Sequence, residues 1–194
     1  MKSLVRLVVE SRLTLDLAEE PMIEGDCVIK HDEETVCLLR EADEQTVDLI
    51  MEVIEEMTEE SREGMDPMRE PILEDLPVCW GLAFSEDDLE SYDPEDPRDN
   101  PALRPKLENR LDLFVRVLVE LVLFYWQFRV DPEFSRQQFV RIGHQLKQES
   151  PETIEAFLAS IRSQAEEVTG VEYREYKEAL LVIPCNLGLV PDPR

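Results

Sequence analysis

The sequence predicts an α+β protein that is mostly helical, and three observations carry this prediction. Several short stretches before about residue 43 alternate apolar and polar side chains, as β-strands do. Residues 44–63 and most of the chain after residue 106 instead repeat apolar side chains at helical spacing. A proline-rich acidic stretch separates the two parts. We therefore expect a small N-terminal antiparallel β-sheet, an acidic helix, a Pro-rich acidic loop and a C-terminal bundle of about four helices.

The N-terminal strands are predicted from period-two patterns. In RLTLDL, the side chains of Leu13, Leu15 and Leu17 alternate with polar ones. The preceding LVRLVV and the later CVIKHDEETVCLL are similar, and residues 31–34 are suited to a turn between two strands. Together these segments predict the small antiparallel sheet.

The acidic helix is predicted over residues 44–63, EQTVDLIMEVIEEMTEESRE. One face is apolar and consists of Val47, Ile50, Met51, Ile54 and Met57. The remainder is nearly all carboxylate, with like charges four residues apart, and each such pair costs a helix about 0.2–0.5 kcal/mol. Nothing nearby in the sequence offsets this repulsion before Arg62.

Residues 64–105 are predicted to lack regular structure, because seven prolines interrupt them. VCWGLAF, residues 78–84, could form a short strand or an anchoring loop. The stretch SEDDLESYDPEDPRDNP, residues 85–101, holds eight acidic residues against the single Arg98. It has no EF-hand pattern, since the required glycine and closing glutamate are absent. A solvated tether and a rigid acidic surface both remain open for it.

The C-terminal bundle is predicted from four helical segments. The first, 111–128, is apolar almost all round, but its charged residues exclude a membrane span. The second begins after Asp131-Pro132, and the third begins at Ser150-Pro151 with serine as N-cap. The fourth covers about 172–183 and is expected to end before Pro184. We divide the chain into 1–63, 64–105 and 106–194, as parts of one compact domain.

Charge is the strongest compositional signal. The net charge of −25 is concentrated in residues 1–100, which carry −23, while residues 101–194 carry −2. Such a balance argues against direct binding to nucleic acid or to an anionic membrane, because both require a basic surface. It favours a basic protein partner.

The cysteines and the N-terminus predict a cytoplasmic protein. Four widely spaced cysteines form no C-x-x-C pair, and charged residues interrupt the N-terminal apolar run, so we expect no signal peptide. Reduced thiols packed in the core are the expectation for Cys27, Cys37, Cys79 and Cys185. No cofactor is expected.

Catalytic and metal-binding patterns are few. His144 lies on an amphipathic pattern as a surface residue, and His31 lies in a turn. Residues 55–59, EEMTE, resemble the magnesium-binding E-E-x-x-E string of all-helical nucleotide pyrophosphohydrolases. Those enzymes also need an E-x-x-D on a neighbouring helix, but here Glu63-x-x-Asp66 follows too soon and Glu90-x-x-Asp93 lies among prolines. A Mg²⁺- or Mn²⁺-dependent hydrolase that uses carboxylates of residues 52–60 is the alternative prediction.

The main prediction is a non-enzymatic, regulatory interaction protein whose acidic surface, at about 41–99, binds a basic partner protein. In the sharper version of this prediction the partner binds nucleic acid, and the chain acts as a nucleic-acid mimic or inhibitor. The candidate partner-binding residues are Asp48, Glu52, Glu55, Glu56, Glu59, Glu60, Glu86, Asp87, Asp88, Glu90, Asp93, Glu95, Asp96 and Asp99. A third hypothesis is a subunit that forms a homo- or hetero-oligomer through helix 111–128. Phe124, Tyr125, Trp126 and Phe128 would anchor that interface, although a core role is the stronger expectation for them.

Overall fold

The chain folds as an all-helical protein in the computed structural model, which describes residues 1–18, 33, 35–83, 95–96, 100–104, 106, 109–125, 130–168 and 174–191. Seven α-helices of eleven or more residues follow one another, with a short helical turn at 35–39 and a 3₁₀ turn at Pro101–Leu103. They are α1 (Lys2–Asp16), α2 (Glu44–Glu63), α3 (Arg69–Cys79), α4 (Arg110–Tyr125), α5 (Pro132–Leu146), α6 (Pro151–Glu167) and α7 (Arg174–Asn186).

The predicted N-terminal sheet is wrong, because the residues of LVRLVV and most of those of RLTLDL form the single helix α1. No β-strand or sheet occurs within the described residues, and residues 35–39, the strand expected after the turn at 31–34, are helical. Residues 19–32 and 34 lie outside the described part. The side chains of Leu4, Val8 and Leu15 share one buried face of α1, whereas Lys2, Arg6 and Glu10 follow at four-residue spacing on another. Burial of this face in a helical core outweighs the modest β-propensity of valine.

Helix α2 confirms the prediction for residues 44–63 at both ends. Its N-cap is Asp43, whose side chain accepts a hydrogen bond of 2.9 Å from the backbone N–H of Thr46. The apolar positions Val47, Ile50 and Ile54 are buried, as the periodicity indicates.

The predicted absence of regular structure after residue 64 is wrong for residues 69–79, which form α3. Pro71 lies in its first turn, where the missing N–H would have no helical partner anyway. The side chain of Asp66 accepts hydrogen bonds of 3.2 Å from the backbone N–H groups of Met68 and Arg69 and so caps this helix. Residues 78–79 of the possible strand end α3, and Trp80, 2% exposed, anchors the following turn in the core.

The C-terminal helices are confirmed with one correction. Helices α4, α5 and α6 begin close to the predicted residues, and the Ser150 side chain caps α6 by accepting from the Thr153 N–H at 3.1 Å. Helix α7 passes through Pro184 and ends at Asn186, whereas the sequence predicted an end before the proline. The carbonyl oxygen of Pro184 accepts a hydrogen bond of 2.8 Å from the N–H of Leu189. Gly188, with φ of +65°, lies in the turn that follows the helix.

Helices α1 and α4 lie at the centre of the molecule. Helix α1 packs against α2, α3, α4 and α5, and α4 packs against α1, α5, α6 and α7. One hydrophobic cluster includes side chains from all seven helices. No described helix combines the length and apolar character needed to cross a membrane. The division at residues 63 and 105 stays a prediction.

Candidate functional site

The solvent-facing side of α2 carries most of the candidate residues that the structure describes. All six candidates on this helix, Asp48, Glu52, Glu55, Glu56, Glu59 and Glu60, are exposed. Glu52, Glu56 and Glu60 form ion pairs with side chains of α1, whereas, within the described residues, Asp48, Glu55 and Glu59 do not.

The side of α2 next to α1 is neutralised by cations that the sequence alone did not place there. Lys2 Nζ lies 3.0 Å from an oxygen of Glu52 and also pairs with Glu56. Arg6 donates through both terminal nitrogens to Glu60, with Nη1 at 2.8 Å from Oε1. The hydrogen bonds to Glu56 and Glu52 raise the pKa of Lys2, and the hydrogen bond from Arg6 lowers the pKa of Glu60. Part of the repulsion expected within α2 is therefore offset by α1.

A second cationic centre joins α2 to α3. Arg62 pairs with Glu59 on its own helix, and it donates to Glu70 at 2.8 Å and to Glu74 at 3.1 Å on α3. One guanidinium therefore holds three carboxylates and fixes the two helices side by side.

Four carboxylates of α2 remain without an ion pair in the described structure, namely that of Glu44 in the first turn and those of Asp48, Glu55 and Glu63 farther along the helix. We call Asp48, Glu55 and Glu63 the outer face of α2. At a rise of about 1.5 Å per residue they are spread along roughly 20 Å of helix. Glu63 was not among the candidates that the sequence singled out for binding, although it belongs to the same carboxylate series.

The acidic stretch at 85–99 lies largely outside the described residues, and with it Glu86, Asp87, Asp88, Glu90, Asp93 and Asp99. Two of its members are described. Glu95 is exposed, and Asp96 is half-buried with its carbonyl accepting the N–H of Asn100 at 2.9 Å.

Basic side chains of the second half fasten the loop that enters α2. Arg104 donates to the carbonyl oxygens of Leu39 at 3.3 Å and Ala42 at 3.0 Å, while Arg116 pairs with Glu41 at 2.9 Å. In these contacts, basic side chains of residues 101–194, the nearly neutral half, bind the loop before α2, which belongs to the acidic first hundred residues.

The residues of the predicted metal site do not enclose a space. Glu52, Glu56 and Glu60 pair with Lys2 and Arg6, and Glu55 and Glu59 lie on the exposed side of the same single helix. Within the described ranges, no group of three or more His, Cys, Asp or Glu side chains could hold a metal ion. His144 is exposed, as predicted, with its Nε2 atom 3.0 Å from Gln148 Nε2. His31 lies outside the described residues.

The expectation of buried cysteines is wrong for the three that the structure describes. Cys37 and Cys79 are exposed, and Cys185 is half-buried. Cys37 also lines an open cavity of about 440 Å³ together with Glu33, Leu38 and Glu120. Cys27 lies outside the described residues.

Helix α4 is an internal element of this chain. Every apolar side chain from Leu113 to Tyr125 is buried, so Phe124 and Tyr125 have the core role that was the stronger expectation. Trp126 and Phe128 lie outside the described residues. An oligomer that forms through residues 111–128 stays a prediction.

Comparison of the chain with protein-family models, with curated proteins and with solved structures gave no match.

Proposed function

We propose that this chain is a non-enzymatic interaction protein that binds a basic partner protein through the outer face of α2. The observation that supports this proposal is the division of the carboxylates on α2. Lys2, Arg6 and Arg62 hold four of them, while Asp48, Glu55 and Glu63 are exposed without an ion pair in the described structure.

A surface of this kind favours fast association with a basic partner. Unpaired carboxylates on one side of a helix give a local negative potential, and a net charge of −25 extends it. Such a field raises the rate of encounter with a positively charged surface, and added salt weakens it. Because the buried apolar face of α2, with Val47, Ile50 and Ile54, packs into the core, the three carboxylates are presented on a stable helix.

The sharper version of the proposal is mimicry of a nucleic acid, which would inhibit or regulate the partner. The outer-face carboxylates are seven or eight residues apart and are therefore separated by about 10–12 Å along the axis of α2, whereas phosphates along one DNA strand rise by about 3.4 Å each. The acidic residues of 85–99 would have to supply the charges between them. This version requires that nucleic acid and the protein compete for one groove of the partner.

The test is affinity capture with a matched control. Asp48→Asn, Glu55→Gln and Glu63→Gln together neutralise the outer face, while Glu152→Gln, Glu155→Gln and Glu166→Gln change the net charge equally on α6. We expect the native chain and the α6 variant to capture the same basic protein at low salt, and the outer-face variant to lose it. Capture is measured by quantitative mass spectrometry and followed by titration of the purified partner at several salt concentrations.

Equal capture by all three forms would overturn the proposal and make the outer face a solvated surface. The mimicry version is tested separately, by adding duplex DNA or RNA to the purified complex. Displacement of the protein supports mimicry, and a complex that is indifferent to nucleic acid contradicts it.

A further inference from the structure

A partly buried polar seam lies on α5, and one of its members, Arg141, contacts α1. Ser135, Gln138, Arg141 and Gln145 follow one another on α5 at spacings of three or four residues, so their side chains share one face of the helix. Ser135 and Gln138 are each 7% exposed. A polar face directed into a helical bundle is unusual, because buried polar groups are disfavoured unless they are hydrogen-bonded.

Arg141 is the charged member of this seam. Its Nη1 donates a long hydrogen bond of 3.4 Å to the carbonyl oxygen of Glu10. Its Nε and Nη2 are buried and meet no acceptor among the described residues. These two nitrogens carry the parallel N–H bonds along one edge of the guanidinium, which is the edge that binds a carboxylate or phosphate through two oxygens.

The surroundings of Arg141 add further polar groups. The hydroxyl of Tyr125 donates to the carbonyl oxygen of Ser11 at 2.9 Å. Burial raises the pKa of Tyr125, while the charges of Arg141 and Arg12 and a hydrogen-bonding contact of Arg141 with the phenol oxygen oppose that rise, so both guanidinium groups lie near this hydroxyl. Arg12 has a counter-ion in Asp16. The buried hydroxyl oxygens of Ser11 and Ser135 have no hydrogen-bond partner within the described structure.

The seam therefore holds a positive charge that no carboxylate of the described residues balances. A shortage of acids is not the reason, because the chain has 45 Asp and Glu against 20 Lys and Arg. Arg141 is half-buried, so solvent screens part of its charge, but its Nε and Nη2 atoms are buried donors, and water at these atoms would satisfy the N–H groups without neutralising the charge. An oxyanion on the open edge of Arg141 would supply both the acceptors and the counter-charge.

We propose that the seam between α1 and α5 binds a small oxyanion, a carboxylate or a phosphate, through the Nε and Nη2 atoms of Arg141. This site is independent of the outer face of α2 and of the proposed partner.

The test is thermal unfolding of the full chain in inorganic phosphate or in acetate, with sodium chloride holding the ionic strength constant. The variants are Arg141→Gln and the control Arg136→Gln, which removes the same charge from an exposed position of α5. We expect one anion to raise the Tm of the native chain and of the control by about 3–6 °C at ten times its Kd. Arg141→Gln is expected to lose this shift. A response to phosphate alone identifies a phosphate site, and a response to acetate alone identifies a carboxylate site.

Two results would overturn the proposal. An equal shift in Arg141→Gln would show a general effect of the salt on the folded chain. No shift in the native chain with either anion would show that the seam is filled by water alone. If Arg141→Gln fails to fold, Arg141→Lys decides, because lysine keeps the charge but lacks the two parallel donors. Loss of the anion response in Arg141→Lys supports the site, and an unchanged response contradicts it.

Discussion

Single cations organise the acidic half of the molecule. Lys2, Arg6 and Arg62 each contact at least one carboxylate of α2, and Lys2 and Arg62 each contact more than one carboxylate in all. All three are substantially exposed, with side-chain exposures of 43%, 39% and 47%. Exposed ion pairs contribute little individually because water and salt screen them. Their main effect here is to decide which carboxylates of α2 remain unpaired.

We expect a small coupling energy between Arg6 and Glu60, of about 0.2–1 kcal/mol, because both side chains are partly exposed. A double-mutant cycle with Arg6→Gln, Glu60→Gln and the double variant measures it by urea unfolding. A coupling near zero would mean that the contact does not support the packing of α1 on α2.

The same pair has a predictable pH dependence. Arg6 holds the pKa of Glu60 below its usual value of 4.5, so the folded chain binds this proton less readily than the unfolded chain. The contribution of this ion pair to stability is therefore fully present above the pKa that Glu60 has in the unfolded chain. It is lost as the pH falls through the lower pKa of Glu60 in the folded chain. The coupling energy should be smaller at about pH 3 than at about pH 6. A coupling that grows on acidification would contradict the assigned contact.

At the scale of elements, α5 closely approaches the residue that follows α7 in the C-terminal bundle. Gly143 lies in α5, and a Cβ atom placed on it would lie 2.1 Å from the carbonyl oxygen of Leu187. Only a glycine allows these two backbones to meet at this distance, because the obstructing atom is itself backbone.

We expect Gly143→Ala to destabilise the protein by about 1–3 kcal/mol, since the added methyl forces α7 to move. Alanine has the higher helix propensity, by about 1 kcal/mol, so the net loss would come from packing alone. Urea unfolding measures the change. Val140→Ala, at a 60% exposed position of the same helix, is the control and should change stability by less than about 0.5 kcal/mol. A Gly143→Ala variant as stable as the native chain would contradict the close approach of α5 and α7.

At the scale of the whole molecule, two opposing electrostatic effects act on stability. The ion pairs along α1, α2 and α3 favour the fold, while a net charge of −25 disfavours the compact state through self-repulsion. Both weaken as salt is added, because the screening length falls from about 30 Å at 0.01 M to about 3 Å at 1 M. The acids outnumber the bases so strongly that the repulsion should outweigh the attraction of the ion pairs.

We expect the free energy of unfolding to be greater in 1 M sodium chloride than in 10 mM. The variant neutralised at Asp48, Glu55 and Glu63 should gain less from salt than the variant neutralised at Glu152, Glu155 and Glu166, because its charges are removed where repulsion is concentrated. Urea unfolding of the three proteins at both salt concentrations gives the comparison. Greater stability at low salt would show that the ion pairs outweigh the repulsion.

The two halves of the chain differ in how much of their structure could be predicted. In α2 and α6, capping residues and apolar periodicity are both present in the sequence, so the predicted starts at residues 44 and 151 are confirmed. At the end of α1, the alternation of Leu13, Leu15 and Leu17 led to the wrong prediction of a strand. Apolar residues on both sides of a helix can also alternate over a few positions. In α3, Pro71 occupies a first-turn position that helices tolerate, whereas Pro77 lies inside the helix and is accommodated there against the usual preference.

The candidate site, too, could be predicted only in part from the sequence. Its carboxylates are visible in the sequence, but their partners are not, since Lys2 and Arg6 precede Glu52 and Glu60 by about fifty residues. Interpreting α1 as strands hid the four-residue spacing of Lys2, Arg6 and Glu10, which was the one signal for a charged helix stripe.

The sequence by itself determined the acidic helix, the C-terminal helices and the concentration of charge in the first hundred residues, because these depend on local periodicity, caps and composition. The tertiary structure alone decided that α1 is a helix, which carboxylates of α2 are neutralised, and that two buried nitrogens of Arg141 have no carboxylate partner among the described residues. Those features depend on contacts between residues distant in the chain, and the free energy of such contacts is set by burial and three-dimensional proximity rather than by neighbouring residues.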